Sequence, residues 1–179
     1  ARTVSISVIP MDSDRPMPIP QDGSLVQAAW EPPVARLRSV NASQRVRAGA
    51  LTVWVSPEPL TIHVENDHGR LVQRLRFDSR TGAMDFLLGE GPVLGLGQGG
   101  PQFDRRGSRD LMRSGQGGYR LRTHGGRVPI PWLIGTSGWA MFVHQPDGIF
   151  DLTGSEGRFE PRSPEAALPL DVFVVGAEE

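Results

Sequence analysis

The sequence predicts an all-β fold, a two-sheet antiparallel β-sandwich, and three observations carry that prediction. Short runs of alternating apolar and polar residues recur at spacings near ten residues, with turn chemistry between them. The 22 glycines and 16 prolines together make 38 of 179 residues, well above the usual share of roughly 12%. No stretch carries the apolar stripe of an amphipathic helix, so nothing separates the strands as parallel-sheet crossovers would. Hydrophobic residues make up 38% of the chain and are spread along it, which separates it from a disordered tract. The length suits one domain with a real core, spanning 1–179.

The elements follow in order. "RTVSISVI" sets Val4, Ile6 and Val8 against Thr3, Ser5 and Ser7, the pattern of a half-buried strand. "PMDSDRPMPIPQDGS" holds four prolines and reads as a loop. "LVQAAW", "ARLRSV", "QRVRAG" and "ALTVWVSP" are further strand candidates. In the last, Leu51, Val53 and Val55 share one face and Thr52 and Trp54 the other. "LTIHVENDHGRLVQRLRFD" predicts a hairpin turning at Asp67-His68-Gly69, and "AMDFLLG" a strand after the turn "SRTG". Twelve of the 22 glycines then fall between residues 89 and 126, a texture that suits a functional loop or arm. Strands resume in "VPIPWLIGTS", "GWAMFVHQP", "GIFDLTG", "GRFEPRS" and "LPLDVFVVG".

Composition narrows the function. A formal net charge of −1 supplies no global field for nucleic acid or an anionic membrane. With no cysteine, disulfides and thiolate metal sites are absent, and the redox compartment stays open. All 19 cationic residues are arginine. No apolar run approaches the roughly 20 residues of a membrane-spanning helix. The chain begins with Ala1 and no leader pattern, so a mature or trimmed product is expected. The compartment is left undetermined.

"VLGLGQGGPQFDRRG" spells G-x-G-x-x-G through Gly95, Gly97 and Gly100. A dinucleotide site needs a helix to open within that motif, because the helix N-terminus supplies the N–H groups for the pyrophosphate. Pro101 follows directly and no helical stripe comes after it. The glycines are therefore expected to let the backbone turn and pack closely. No cofactor is expected. His63, His68, His124 and His144 have no metal-ligand spacing. The seven arginines from Arg105 to Arg127 could read phosphate or uronate, but a lone Tyr119 makes no stacking platform for nucleic acid. Trp30, Trp54, Trp132 and Trp139 suit either a sugar-stacking face or the core, with core favoured for Trp132 and Trp139. Asp104 and Asp110 could form a carboxylate pair. The plainer reading is that they pair with Arg105, Arg106 or Arg109.

The order of segments resembles the N-terminal domain of glycoside hydrolase family 31. The residues that carry the resemblance are Pro59-Leu60-Thr61-Ile62, the turn Asp67-His68-Gly69, Gly95-Leu96-Gly97-Gln98 and Arg105-Arg106-Gly107, followed by "VPIPWLIGTSGWAMFVHQPDGIFDLTG" and the closing "LPLDVFVVG". Gln98 stands where the family has Glu, so a neutral hydrogen bond is expected in place of any ion pair there. The resemblance implies a galactose-mutarotase-like sandwich, and it implies that α-glycosidic cleavage is performed by two aspartates on a (β/α)₈ barrel following this domain. Such a domain would be inactive alone and would expose an apolar patch where it packs on the barrel. The partners implied are that barrel and, through the whole enzyme, an α-linked oligosaccharide or glycoside. The resemblance further implies a substrate-binding role for Arg109 and Asp110, in a loop spanning residues 99–118 that reaches the barrel mouth. The rival readings are an independent carbohydrate-binding module and an interaction domain.

Overall fold

The structure, a computed structural model, describes residues 2–12, 15–19, 25, 32–99, 102–115, 126–145, 147–162 and 168–177. Among them there is no helix, and strands form two antiparallel sheets and a small hairpin. The hairpin pairs β2 (Met11–Asp12) with β3 (Arg15–Pro16), inside the proline-rich stretch read as a loop.

The larger sheet has eight strands. From its β4 edge it begins as a meander: β4 (Gln44–Ala48), β5 (Leu51–Ser56), β6 (Thr61–Glu65), β7 (Leu71–Phe77) and β8 (Met84–Leu87). Local chemistry makes each reversal. Asn66 Oδ1 accepts the amides of His68 and Arg70 while Gly69 adopts φ +75°, the left-handed backbone that glycine adopts without a Cβ clash. Beyond β8 the sheet continues through β14 (Glu156–Pro161), β13 (Gly148–Asp151) and the two-residue β10 (Arg109–Asp110). The smaller sheet runs β1 (Thr3–Val8), β15 (Leu170–Gly176), β12 (Trp139–His144), β11 (Trp132–Gly135), β9 (Val93–Gly95). The first strand of the chain thus pairs along its length with the last.

Period-two alternation builds one core between the sheets. Val53, Val64, Leu75, Phe86 and Phe159 face inward from the larger sheet; Leu133, Met141, Val143, Val172 and Val174 do so from the smaller. Gln73 is the polar exception. Its side chain is buried, donates to the Leu87 carbonyl at 3.1 Å and accepts the Leu87 amide at 2.7 Å, replacing a ladder bond between β7 and β8.

Two expectations need correction. "ARLRSV", residues 35–40, is not a strand. Leu37 stays exposed and Val40 alone packs against the core, so the segment lacks the alternating apolar face that would seat it in a sheet. Trp132 is not core: it lies on the outer face of the smaller sheet, opposite Phe142, whereas Trp139 is buried. Residues 26–30 of the strand candidate "LVQAAW", Trp30 included, lie outside the described residues, as do Tyr119, His124 and residues 163–167.

Candidate functional site

The glycine-rich segment closes the end of the sandwich between β9 and β10, and its hydrogen bonds show what it is built to hold. Gly95, Leu96, Gly97 and Gly99 all have positive φ. The amides of Leu96 and Gln98 are used by the carbonyls of Trp132 and Val128, at 2.7 and 2.9 Å. The carbonyls of Gly95, Gly97 and Gly99 converge on Arg105: its Nε donates to Gly95 at 2.9 Å and its Nη2 to Gly97 at 3.2 Å and Gly99 at 2.9 Å. A phosphate cradle needs the opposite polarity, with amides converging on an anion. This loop converges acceptors on a cation, and the cation is the protein's own.

Arg106 repeats the device one turn away. Its Nε donates to the Gly91 carbonyl at 2.6 Å, and its Nη2 to the carbonyls of Leu88, at 3.1 Å, and Gly89. Asp104 closes the motif, accepting the amides of Val93 at 3.0 Å and Arg106 at 3.1 Å. The Val93 amide bond, aided by that of Arg106 and by the Arg106 charge, outweighs partial burial and holds the Asp104 carboxyl below its usual range. The run Asp104-Arg105-Arg106-Gly107 is therefore a clasp around the glycine turns.

Arg109 and Asp110 are divided by strand alternation. β10 pairs with β13, setting Arg109 opposite Asp151 and Asp110 opposite Phe150. Arg109 faces outward, with Nε 3.9 Å from Asp151 and Nη2 3.5 Å from Glu160. Asp110 faces the core and is 3% exposed. Its Oδ2 accepts from Arg127 Nη2 at 2.5 Å and its Oδ1 from the Met112 amide at 2.9 Å. Arg127 is fully buried and also donates through Nη1 to the carbonyls of Gln98 at 2.7 Å and Val128 at 3.1 Å. Gln98 thus meets an arginine through its backbone. Asp110 pairs with Arg127, seventeen residues on. Arg105 has no carboxylate partner among the described residues. Burial, and then the nearby Arg127 charge, hold its pKa below the ordinary guanidinium value, with Asp110 opposing.

Beside the clasp lies a cavity of about 610 Å³, lined chiefly by Leu94, Gln102, Phe103, Arg105, Ile130 and Trp132. Of its polar groups, Arg105 is bonded to the glycine carbonyls through Nε and Nη2, while its buried Nη1 has no hydrogen-bond partner among the described residues, and Gln102 Nε2 donates to the Arg106 carbonyl at 3.0 Å. Trp54, on the outer face of the larger sheet, is capped by the Arg45 guanidinium 5.4 Å from its ring centre and donates to Glu65 at 3.0 Å. Trp132 borders this cavity. Ser7, Asp171 and His144 form a row across β1, β15 and β12. The carboxylate sits in the middle, accepting from Ser7 at 2.5 Å with His144 Nδ1 at 3.5 Å. A serine nucleophile needs the imidazole in that middle place.

No family model and no curated protein matches the chain by sequence. Solved structures do match it in fold. The GH31 dextranase of Flavobacterium johnsoniae, complexed with glucose, aligns with a TM-score of 0.64 at 16% identity over 98% of this chain and 22% of its own. The cycloalternan-forming enzyme of Listeria monocytogenes, in complex with a pentasaccharide substrate, aligns with a TM-score of 0.59 at 12% identity over 99% of this chain and 18% of its own. The chain thus spans about a fifth of the length of these enzymes. The β-sandwich implied by the ordered motifs is the fold of a segment of such proteins.

Proposed function

We propose that this chain is the non-catalytic N-terminal sandwich domain of a family 31-type α-glycosidase, packing on a catalytic barrel and lending its glycine–arginine loop to the margin of the substrate pocket. The observation that carries the reading is the coverage: nearly all of this chain matches a segment that is a minor part of much longer enzymes named for α-glucan chemistry.

The chemistry of the loop supports the division of labour. Cleavage of a glycosidic bond needs two carboxyl groups facing across it, one as acid and one as nucleophile or base. The carboxylates of Asp104 and Asp110 are engaged by backbone amides and by Arg127, so neither is offered to a substrate. The substrate contact expected of Arg109 and Asp110 is proposed in divided form. Arg109 presents a guanidinium at the surface for sugar hydroxyls; Asp110 braces the loop from beneath.

Purified residues 1–179 should release no aryl alcohol from aryl α-glycosides, whereas the natural polypeptide containing them should. In that polypeptide, loss of a charged hydrogen bond by Arg109→Ala should cost about 1.5 kcal/mol, roughly tenfold in kcat/KM, on disaccharides. Activated aryl glycosides, with fewer hydroxyls on the leaving side, should lose less. Turnover by the 179-residue chain alone, abolished by Asp104→Ala, would sink the reading.

A further inference from the structure

Arg105 is only 7% exposed, and the clasp satisfies only part of it. A guanidinium presents five N–H groups in a planar fork. Nε and Nη2 spend three of them on the carbonyls of Gly95, Gly97 and Gly99. The two on Nη1 are buried and meet no acceptor among the described residues. The charge is unmatched as well, since carbonyls carry none. Among the described residues no carboxylate pairs with Arg105: Asp110 is bound to Arg127 at 2.5 Å, and Asp104 accepts the amides of Val93 and Arg106. A buried cation without a counterion is unfavourable, and proteins ordinarily supply one.

The space beside it can admit one. Arg105 lines the cavity of about 610 Å³, a volume in the range of small-molecule sites. Most of the other lining side chains are apolar: Leu94, Phe103, Ile130 and Trp132. Phe103 is 84% exposed and Ile130 49%, so the cavity is bordered by side chains free to give way as a ligand reaches Nη1. Apolar walls with one convergent charge select an anion on an apolar or flat body. Aromatic side chains take the face of a ring, and a guanidinium takes a carboxylate. Phosphate fits less well, because it needs several converging donors, and the Leu96 and Gln98 amides are already bonded to carbonyls.

We propose that this cavity binds a small ring-bearing organic acid, its carboxylate on Arg105 Nη1 and its ring against Phe103 and Trp132. The site lies within the sandwich and does not rest on the reading of the chain as part of a longer enzyme. Binding gives the buried cation its counterion where water is largely excluded, and there a charge pair is stronger than in solvent.

Saturation-transfer NMR tests it on the 179-residue chain and on the natural polypeptide containing it, with benzoate as the minimal probe and benzamide as its neutral twin. Benzoate should bind both proteins with a dissociation constant on the order of 1 mM, the scale open to so few heavy atoms. Benzamide, lacking the charge, should bind roughly tenfold more weakly. Two variants locate the site at exposed positions, where loss of binding is not loss of fold. Ile130→Glu brings a like charge to the cavity and should weaken benzoate roughly tenfold. Phe103→Ala removes one wall and should weaken it about threefold. Methyl α-D-glucuronide and methyl α-D-glucoside make a second charged and neutral pair. Preference for the glucuronide, lost in Ile130→Glu, supports the site as one for a sugar acid; preference for benzoate alone supports an aromatic acid. Equal binding within both pairs, or no saturable binding, would overturn the proposal. So would benzoate binding that both variants leave unchanged, or that disappears in the longer polypeptide, where another protein group would then hold Arg105. No readout involves hydrolysis, so failure here leaves the proposed function standing.

Discussion

A carboxylate facing the core is tolerable only with a partner that neutralises it, and for Asp110 that partner is Arg127. Removing either breaks a buried ion pair, which costs about 3–5 kcal/mol. Asp110→Ala and Arg127→Ala should each lower the urea-unfolding free energy by that amount. The pair Asp110→Ala with Arg127→Met should cost clearly less than the sum, since neither charge is then left behind; strict additivity would show that the two do not act together. Acid tests a second set of residues. Burial alone would raise the Asp85 carboxyl, but hydrogen bonds and charge from Arg76 and Arg158 outweigh it and hold it below 3.8. The hydroxyl and amide of Thr153 do the same for Asp151 against weaker burial, and Asp104 is lowered by the Val93 amide. A carboxyl lowered on folding contributes stability that is fully present above its unfolded value and is lost as pH falls through the folded one. The urea midpoint should therefore be flat from neutral pH down to about 5 and fall below about 4; a midpoint that rises on acidification would contradict these assignments. Residue identity in the loop was legible in the sequence, but pairing was not. Arg127 lies seventeen positions from Asp110, and no local rule links them; only the bridge between Gly115 and Arg127 and that between Gln98 and Val128 bring it there.

Among the elements, the strands were legible wherever one face alternates against the core, and these make up most of both sheets. They were illegible where side-chain pattern does not decide. β9 and β10 are two or three residues long, and their pairing is fixed by backbone partners distant in sequence. The clasp was half legible. The glycines announced close backbone packing, whereas the arginine that draws their carbonyls inward showed only in three dimensions. The packing can be tested glycine by glycine. A Cβ on Gly97, at φ +80°, would lie 2.1 Å from the Val128 carbonyl oxygen, with the backbone of Pro129 and Ile130 just beyond. At Gly107, φ +69°, it would meet nothing within 4 Å. Gly107→Ala should then show only the left-handed penalty, about 1–2 kcal/mol. Gly97→Ala should cost well beyond that, because backbone must move to admit the methyl. Thermal unfolding of the two variants reads the difference, and equal losses would mean that the loop is not packed as described.

At the scale of the whole molecule, the two sheets share a single core, and the two ends of the chain pair within the smaller sheet. Alternation foretold a sandwich, but it says nothing about which strands neighbour one another. The pairing of β1 with β15 joins residues more than 160 positions apart, and such closure is set by shape and burial rather than by local pattern. One core implies one transition. Leu133, fully buried in the smaller sheet, packs in the same cluster as Leu75 and Phe86 of the larger. Leu133→Ala should therefore destabilise the entire domain, by about 2–5 kcal/mol for a leucine deleted from a tight core. The loss should appear equally in both sheets: tryptophan fluorescence, which senses Trp139 in the smaller sheet and Trp54 in the larger, and the far-ultraviolet strand signal should shift by the same amount with an unchanged urea slope. Leu75→Ala, its counterpart across the interface, should behave alike. Separated transitions, with the larger sheet surviving in Leu133→Ala, would mean that the meander from β4 to β8 is a unit of its own and that the smaller sheet merely rests on it. The described core argues against that outcome, since Phe86 meets Trp139 edge-on at 6.4 Å and Phe150 at 6.3 Å, tying both sheets to one aromatic centre.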